Sequence, residues 1–275
     1  MQFCIITPVF DGCLSSLKLL FKELTGQTYT DWTWTLCSNG FSAKMCRFVR
    51  KNNRALARVR LTSRIRQLPQ PRIDYVYLPY EETPDAHGLL ENISKRRDHC
   101  IKIVQGDYIC MIDADAKLLD RDMFTILNTE LERNPQSLCI YKIMHKLGVL
   151  PKFPIRYARI DQLNFCVKAS LAKEVGYPTT LNPAAQGNDY WYFDRVCRAT
   201  GGEYLFIDKI FGQHNGNNRY VNILQQLSRQ ASTANPQSPS QSRRLWPFLA
   251  WPFFRLQAAR QFIKKHPYFP HENRL

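Results

Sequence analysis

Residues Gly106 to Asp115 read Gly-Asp-Tyr-Ile-Cys-Met-Ile-Asp-Ala-Asp. An apolar, β-rich run is entered through Gly-Asp and left through two aspartates at i and i+2. Such a run predicts a strand buried on both faces, as in a parallel sheet. Ligands of open α/β sheets bind at the carboxyl ends of strands. Two carboxylates emerging there suit Mg²⁺ or Mn²⁺ holding a substrate diphosphate. A D-x-D triplet alone is a weak signal, and the chain carries a second one, Asp120-Arg121-Asp122. That triplet precedes Met123-Phe124-Thr125-Ile126-Leu127, so it is expected to cap a helix N-terminus.

The rest of the chain agrees with an α/β sheet. Phe3–Thr7, Trp32–Cys37 and Ile73–Leu78 predict strands. Leu14–Leu24 and His87–Val104 have helical spacing, and the basic stretch after Ser38-Asn39-Gly40 is expected to begin as a helix. The order β-α-β-α-β-α-β predicts a doubly wound sheet. Further on, helices are expected at Asp122–Arg133, Ser170–Val175 and Asn188–Ala199. Strands are expected at Ser137–Lys146, Asn164–Lys168 and Tyr204–Phe211. Neither G-x-G-x-x-G nor a Walker A loop occurs.

With 275 residues and 44% hydrophobic content, one large domain with an appendage is expected. No apolar stretch approaches the roughly 20 residues of a membrane span. The first residues do not resemble a signal peptide. Nine scattered cysteines form no C-x-x-C pair. Cys4, Cys110 and Cys166 fall in strand-like runs as core thiols, and a reducing cytoplasm is expected.

The net charge of +15 is unevenly placed. No acidic residue lies between Trp32 and Ile73, a window holding Lys44, Arg47, Arg50, Lys51, Arg54, Arg58, Arg60, Arg64, Arg66 and Arg72. That surface would attract anionic lipid, an anionic substrate or nucleic acid, or would simply be solvated.

Four segments, taken in order, resemble the GT-A fold of family 2 glycosyltransferases over roughly residues 2 to 219. They are Ile5-Ile6-Thr7-Pro8-Val9-Phe10-Asp11; Arg96-Arg97-Asp98-His99-Cys100-Ile101 running into Gly106-Asp107-Tyr108-Ile109 and Asp113-Ala114-Asp115; Gly187-Asn188-Asp189; and His214-Asn215-Gly216-Asn217-Asn218. The resemblance implies a GT-A doubly wound mixed sheet with helices on both faces. It implies an inverting, metal-dependent transfer from a nucleotide-diphosphate sugar, with uridine the first expectation for the base. By position, Thr7, Pro8, Val9, Phe10, Asp11, Asn39, Arg97, Asp113 and Ala114 would meet the donor. Asp115 and His214 would hold Mn²⁺ or Mg²⁺, and Asp189 would be the general base, with Asp194 the next candidate. Three departures matter. Ser38-Asn39-Gly40 stands where the family has D-D-G-S, Asn188 stands for the Glu of an E-D pair, and Asp98 stands for the Asn of A-R-N.

The domain is expected to span residues 1–227. Residues 228–242 are polar and of low complexity, as in a linker. Residues 243–275 contain Leu245-Trp246-Pro247-Phe248-Leu249-Ala250-Trp251-Pro252-Phe253-Phe254 between arginines, suited to a membrane interface or to folding back on the domain. The expected protein is cytoplasmic and peripheral at the inner face of the cell membrane. Its acceptor is expected to be a glycan or lipid-linked precursor, and no nucleic-acid partner is expected. A nucleotidyltransferase of related fold and a basic nucleic-acid-binding protein are the alternatives. The first would need a glycine-rich basic loop after strand one. The second leaves Asp113, Asp115, Asp189 and His214 without a role.

Overall fold

A computed structural model describes residues 1–62, 71–82, 86–157, 159–180 and 188–216. The expected linker and tail, together with Gly187, Asn217 and Asn218, lie outside the described residues. So does the stretch up to the expected domain end at 227.

The four apolar runs of the first half form parallel neighbours: β1 (Phe3–Val9), β2 (Trp32–Asn39), β3 (Arg72–Leu78) and β4 (Tyr108–Met111). Their order in the sheet is β3-β2-β1-β4, β1 pairing in parallel with both β2 and β4. The connecting helices are α1 (Leu14–Thr25), α2 (Ala43–Thr62) and α3 (Ala86–Ile103). The sheet then continues with mixed direction through β5 (Lys117–Leu118), β6 (Leu138–His145), β7 (Gly148–Leu150), β8 (Phe165–Lys168) and β9 (Leu205–Gln213). Strand β8 runs antiparallel to β4 and to β6, and β9 runs parallel to β6. Helices α4 (Met123–Arg133), α5 (Ala169–Val175) and α6 (Asp189–Ala199) complete the described α-helices, and single 3₁₀ turns stand at Asp11–Cys13 and Gln162–Asn164.

Strand alternation divides the core into two layers. On one face Phe3 and Ile5 join Leu17, Leu20 and Leu24 of α1, Met45 and Phe48 of α2, and Phe124 and Leu127 of α4. On the other, Cys4 and Ile6 join Cys100 and Ile101 of α3, Ala172 of α5, and Tyr192, Phe193 and Val196 of α6. The doubly wound mixed sheet with helices on both faces is therefore present. Cys4, Cys110 and Cys166 are buried in it. Gly106 carries the chain past Cys4 at φ 150°, where an added Cβ would stand 2.4 Å from the Cys4 sulfur. This explains the glycine before the strand that leads to the aspartates.

Two expectations need correction. The short strands β5 and β7 were not foreseen, and the second D-x-D does not cap α4 with a side chain. Asp122 is the N-cap residue but makes no capping bond; its carboxylate accepts the Thr28 hydroxyl at 2.7 Å. Asp120 accepts the Asp122 N–H at 2.8 Å and pairs with Lys209 at 2.6 Å. The triplet is a structural clamp that ties the start of α4 to β9.

The solvent face of α2 carries Lys44, Arg47, Arg50, Lys51 and Arg54, all exposed, while Met45, Phe48 and Val49 face the core. Among the described residues, no helix is long and apolar enough to cross a membrane.

Candidate active site

The site lies where β4 ends. After Met111 the chain turns through Asp113, whose carbonyl accepts the Ala116 N–H. Two residues past Asp115, β5 pairs antiparallel with the end of β9, Lys117 opposite Gln213. This short ladder brings the D-x-D exit and His214 to the same corner of the sheet. The approach is close: a Cβ on Gly216 would fall 2.5 Å from Lys117 Cβ. A shift of register in β9 against β6 precedes it, the kind of irregularity that re-aims a strand end.

Asp113 is engaged at both oxygens. Its Oδ1 accepts Arg97 at 2.9 Å, and its Oδ2 accepts Gln162 Nε2. The Arg97 side chain is nearly buried and bridges two carboxylates, its other terminal nitrogen reaching Asp189 Oδ1 at 3.2 Å. The same nitrogen donates to the Tyr177 hydroxyl at 3.0 Å, which in turn donates to Asp189 Oδ1 at 2.8 Å. Thus α3, the strand exit and the first residue of α6 meet through one guanidinium. Burial works against the Arg97 charge, but Tyr177, Asp113 and Asp189 more than offset it and raise its pKa. Burial raises the Asp189 pKa, assisted by Asp161 and Asp113, while Arg97 and the Tyr177 hydroxyl oppose the rise. A carboxylate with a raised pKa is a better proton acceptor than one in water. Because Tyr177 and Arg97 both address Oδ1, they orient the group, and among the described residues Oδ2 is left for other work.

His214 sits opposite. Its Nδ1 lies 3.1 Å from Asp161 Oδ2, and the His145 ring packs at 4.7 Å between centroids. Burial opposes protonation of His214, yet Asp161, with the charges of Asp113 and Asp115, raises its pKa. Both aspartates of the triplet thus act on this ring. His145 is pushed down to about 4 by burial and by the His214 charge. Potential ligand atoms of His145, Asp161 and His214 lie within 4.8 Å of one another. Asp161 is already engaged, however: its Oδ1 caps the following turn through the Leu163 N–H at 2.9 Å. His145 Nδ1 accepts the Leu147 N–H, which places the ring proton on Nε2. With Asp161 accepting from Nδ1, Nε2 of His214 is, among the described residues, left as a ligand atom. A carboxylate and an imidazole completed by diphosphate oxygens form a donor set that fits Mn²⁺ or Mg²⁺.

The β1 segment divides by exposure. Thr7 and Val9 are buried. Thr7 donates to the Ile112 carbonyl at 2.6 Å and accepts Trp34 Nε1 at 2.8 Å, fixing β1 against the strand exit. Pro8 is half-buried within the ladder, and Ala114 is buried. Phe10 and Asp11 stand exposed at the rim, Asp11 accepting the Ser42 hydroxyl and pairing with Lys44 at 3.4 Å. Asn39 spends its amide on the loop after β3, donating to the Glu81 carbonyl at 2.6 Å and accepting its N–H at 2.8 Å. Phe10, Phe41 and Tyr80 are exposed around this corner. Asn188 is buried and donates to Ser94 and the Pro178 carbonyl, an anchor for α6. Asp194, the alternative base, is paired with Arg198 at 2.9 Å.

Sequence reasoning missed Asp161, Gln162, Tyr177 and His145. Asp161 carried a local signal: an aspartate ahead of Asn164, here closing a reciprocal cap in which Asn164 Oδ1 accepts the Asp161 N–H. Its partner, His214, is remote in sequence.

No protein-family model and no curated protein sequence matches the chain. Solved structures do. Staphylococcus aureus TarS superposes with a TM-score of 0.59 at 12% identity, covering 98% of this chain and 44% of TarS. The TarS 1-349 piece bound to UDP-GlcNAc gives 0.56 at 12% identity, covering 98% and 73%. The mannosyltransferase PcManGT of Pyrobaculum calidifontis, solved with GDP-Man and Mn²⁺, gives 0.53 at 12% identity, covering 98% and 76%. The chain thus has the GT-A-like fold of these proteins, while spanning less than half of the TarS chain it matches.

Proposed function

We propose that the chain is a glycosyltransferase that moves a sugar from a nucleotide-diphosphate donor to an acceptor hydroxyl with inversion. The carrying observation is the Arg97 bridge, which holds a donor-side carboxylate, Asp113, and a candidate base, Asp189, in one rigid unit at the carboxyl end of β4. The likeness to structures holding UDP-GlcNAc or GDP-Man and Mn²⁺ supports the same reading.

In this reading Asp189 Oδ2 accepts the proton of the acceptor hydroxyl as its oxygen bonds to the anomeric carbon. The bond from that carbon to the diphosphate breaks in the same displacement, and the nucleoside diphosphate leaves with the electron pair. Tyr177 and Arg97 keep Asp189 oriented, and Arg97 limits the rise of its pKa. Asp115 and His214 Nε2 would hold Mn²⁺ or Mg²⁺, which when bound neutralises charge on the leaving diphosphate. Asp113 would address the donor beside them. The buried threonine and valine of β1 shape the floor, and Phe10 and Asp11 form its rim. Asn39 is closed onto Glu81, so a base-reading contact from this loop would come from other groups. The acceptor is a glycan or lipid-linked precursor, and the exposed basic face of α2 favours an anionic surface or acceptor nearby.

The test is nucleoside diphosphate release from a panel of UDP- and GDP-sugars with Mn²⁺ and glycan or lipid-phosphate acceptors. Product configuration is read by proton NMR. Release that depends on acceptor and disappears in Asp189→Ala supports the reading. Release equal in the two proteins, or a product of retained configuration, overturns the mechanism.

A further inference from the structure

We infer that Asp161 is a positioning residue that sets His214 as a metal ligand by fixing its tautomer; this rests on the reading of His214 as a ligand of the divalent ion. The turn Asp161-Gln162-Leu163-Asn164 is buried and anchored on its own account. Asn164 Oδ1 accepts the Asp161 N–H at 2.8 Å, and Asn164 Nδ2 donates to the Tyr141 carbonyl of β6 at 2.9 Å. The position of Asp161 is therefore set by the fold. Its Oδ1 accepts the Leu163 N–H at 2.9 Å, and its Oδ2 faces His214 Nδ1 at 3.1 Å. A carboxylate only accepts, so the neutral imidazole carries its proton on Nδ1, which leaves the Nε2 lone pair as a ligand. Outer carboxylates of this kind orient metal-binding histidines and raise their basicity. The next residue of the turn, Gln162, holds Asp113. One turn thus ties the histidine and the first aspartate of the triplet to the same support.

The substitution Asp161→Asn separates this role from a structural one. Asparagine keeps the oxygen that caps Leu163 and turns its NH₂ toward His214. An NH₂ donates, so Nδ1 becomes an acceptor and the ring proton moves to Nε2, blocking it as a ligand. Mn²⁺ affinity is measured by electron paramagnetic resonance on full-length wild type, Asp161→Asn and His214→Ala, with UDP present and without catalysis. A loss of about 10- to 100-fold is expected for Asp161→Asn, together with a circular dichroism melt close to that of wild type. Mn²⁺ binding by Asp161→Asn as tight as in wild type, while His214→Ala is weakened, overturns the inference and leaves the metal reading standing. If wild type binds no Mn²⁺, or His214→Ala binds it normally, the reading of His214 as a ligand fails. Nitrogen-15 NMR of the wild-type histidines decides the tautomer in either case, and also if Asp161→Asn fails to fold. On metal-free His214 at a pH where the ring is neutral, an Nδ1–H with an unprotonated Nε2 supports the inference, and an Nε2–H tautomer overturns it.

Discussion

Replacing Arg97 with methionine keeps most of the side-chain bulk and removes the cation that Asp113 and Asp189 share. The guanidinium side chain is 8% exposed, against 36% and 30% for the two carboxylates. Removing one partner of a fully buried pair costs about 3–5 kcal/mol. Because both acids are about one-third exposed, the lower end applies, about 3 kcal/mol. For a domain of this size that corresponds to roughly 6–12 °C in melting temperature. Arg97→Lys should recover only part of the loss, since an ammonium cannot present a planar fork to two carboxylates. The decisive assay is a thermodynamic cycle in EDTA at pH 7, combining Arg97→Met with Asp113→Asn plus Asp189→Asn. With the acids neutralised, the cost of losing Arg97 should fall by at least about 1 kcal/mol. Arg97→Met within about 0.5 kcal/mol of wild type, or strict additivity in the cycle, would refute the picture of a charge bridge. A second consequence concerns activity. Arg97 lowers a pKa that burial raises, so in any active Arg97 variant the acid limb of the pH–rate profile should move to higher pH.

Asp115→Ala should lose metal-dependent nucleotide binding while Asp122→Ala keeps it, and calorimetry with UDP and Mn²⁺ separates the two; equal donor affinity in Asp115→Ala and wild type would contradict it. Asp189→Asn should fold and bind donor but turn over at least about 100-fold more slowly, as steady-state kinetics would show. Near-normal turnover would move the base elsewhere. Asp120→Asn should cost about 1–2 kcal/mol at pH 7, measured by urea unfolding. Burial pushes the Asp120 pKa up, but Lys209 and the Asp122 N–H bring it below the usual value. A lowered folded-state pKa contributes stability above the unfolded value of about 3.9 and loses it as pH falls through the folded value. The gap between wild type and Asp120→Asn should therefore close below about pH 4, and a gap independent of pH would argue against the ion pair.

The parallel half of the fold was legible because its strands are buried on both faces and its helices have clear periods. Phe3–Val9 and Tyr108–Met111 contain almost no polar interruption, and the turn residues between elements stand where they should. What strand and helix patterns could not provide was the corner that makes the site; in the sequence, Asp115 and His214 came together only through the resemblance. Strand β5 has two residues, too few for any period, yet its pairing with β9 sets the chain just after Asp115 beside the chain just before His214. Asp161 was invisible as a site residue because its charge partner is far along the chain. Tyr177 and Arg97 meet Asp189 only after α3, α5 and α6 pack on one face. The aspartate pairs illustrate the difference. Both are D-x-D, but Asp113 leaves a buried strand into a cluster of charged partners, whereas Asp120 and Asp122 are consumed by Lys209 and Thr28.

Thermal unfolding of the full-length protein with UDP or GDP, each with Mn²⁺ or with EDTA, tests the central claim most directly. A ligand at 100 times its Kd stabilises the native state by about 2.7 kcal/mol, roughly 5–10 °C here. The account predicts such a shift with at least one nucleoside diphosphate when Mn²⁺ is present, and its loss both in EDTA and in Asp115→Ala. A shift of the same size in EDTA, or none with either nucleotide at saturating concentrations, would contradict a metal-assisted nucleotide-sugar site at the end of β4.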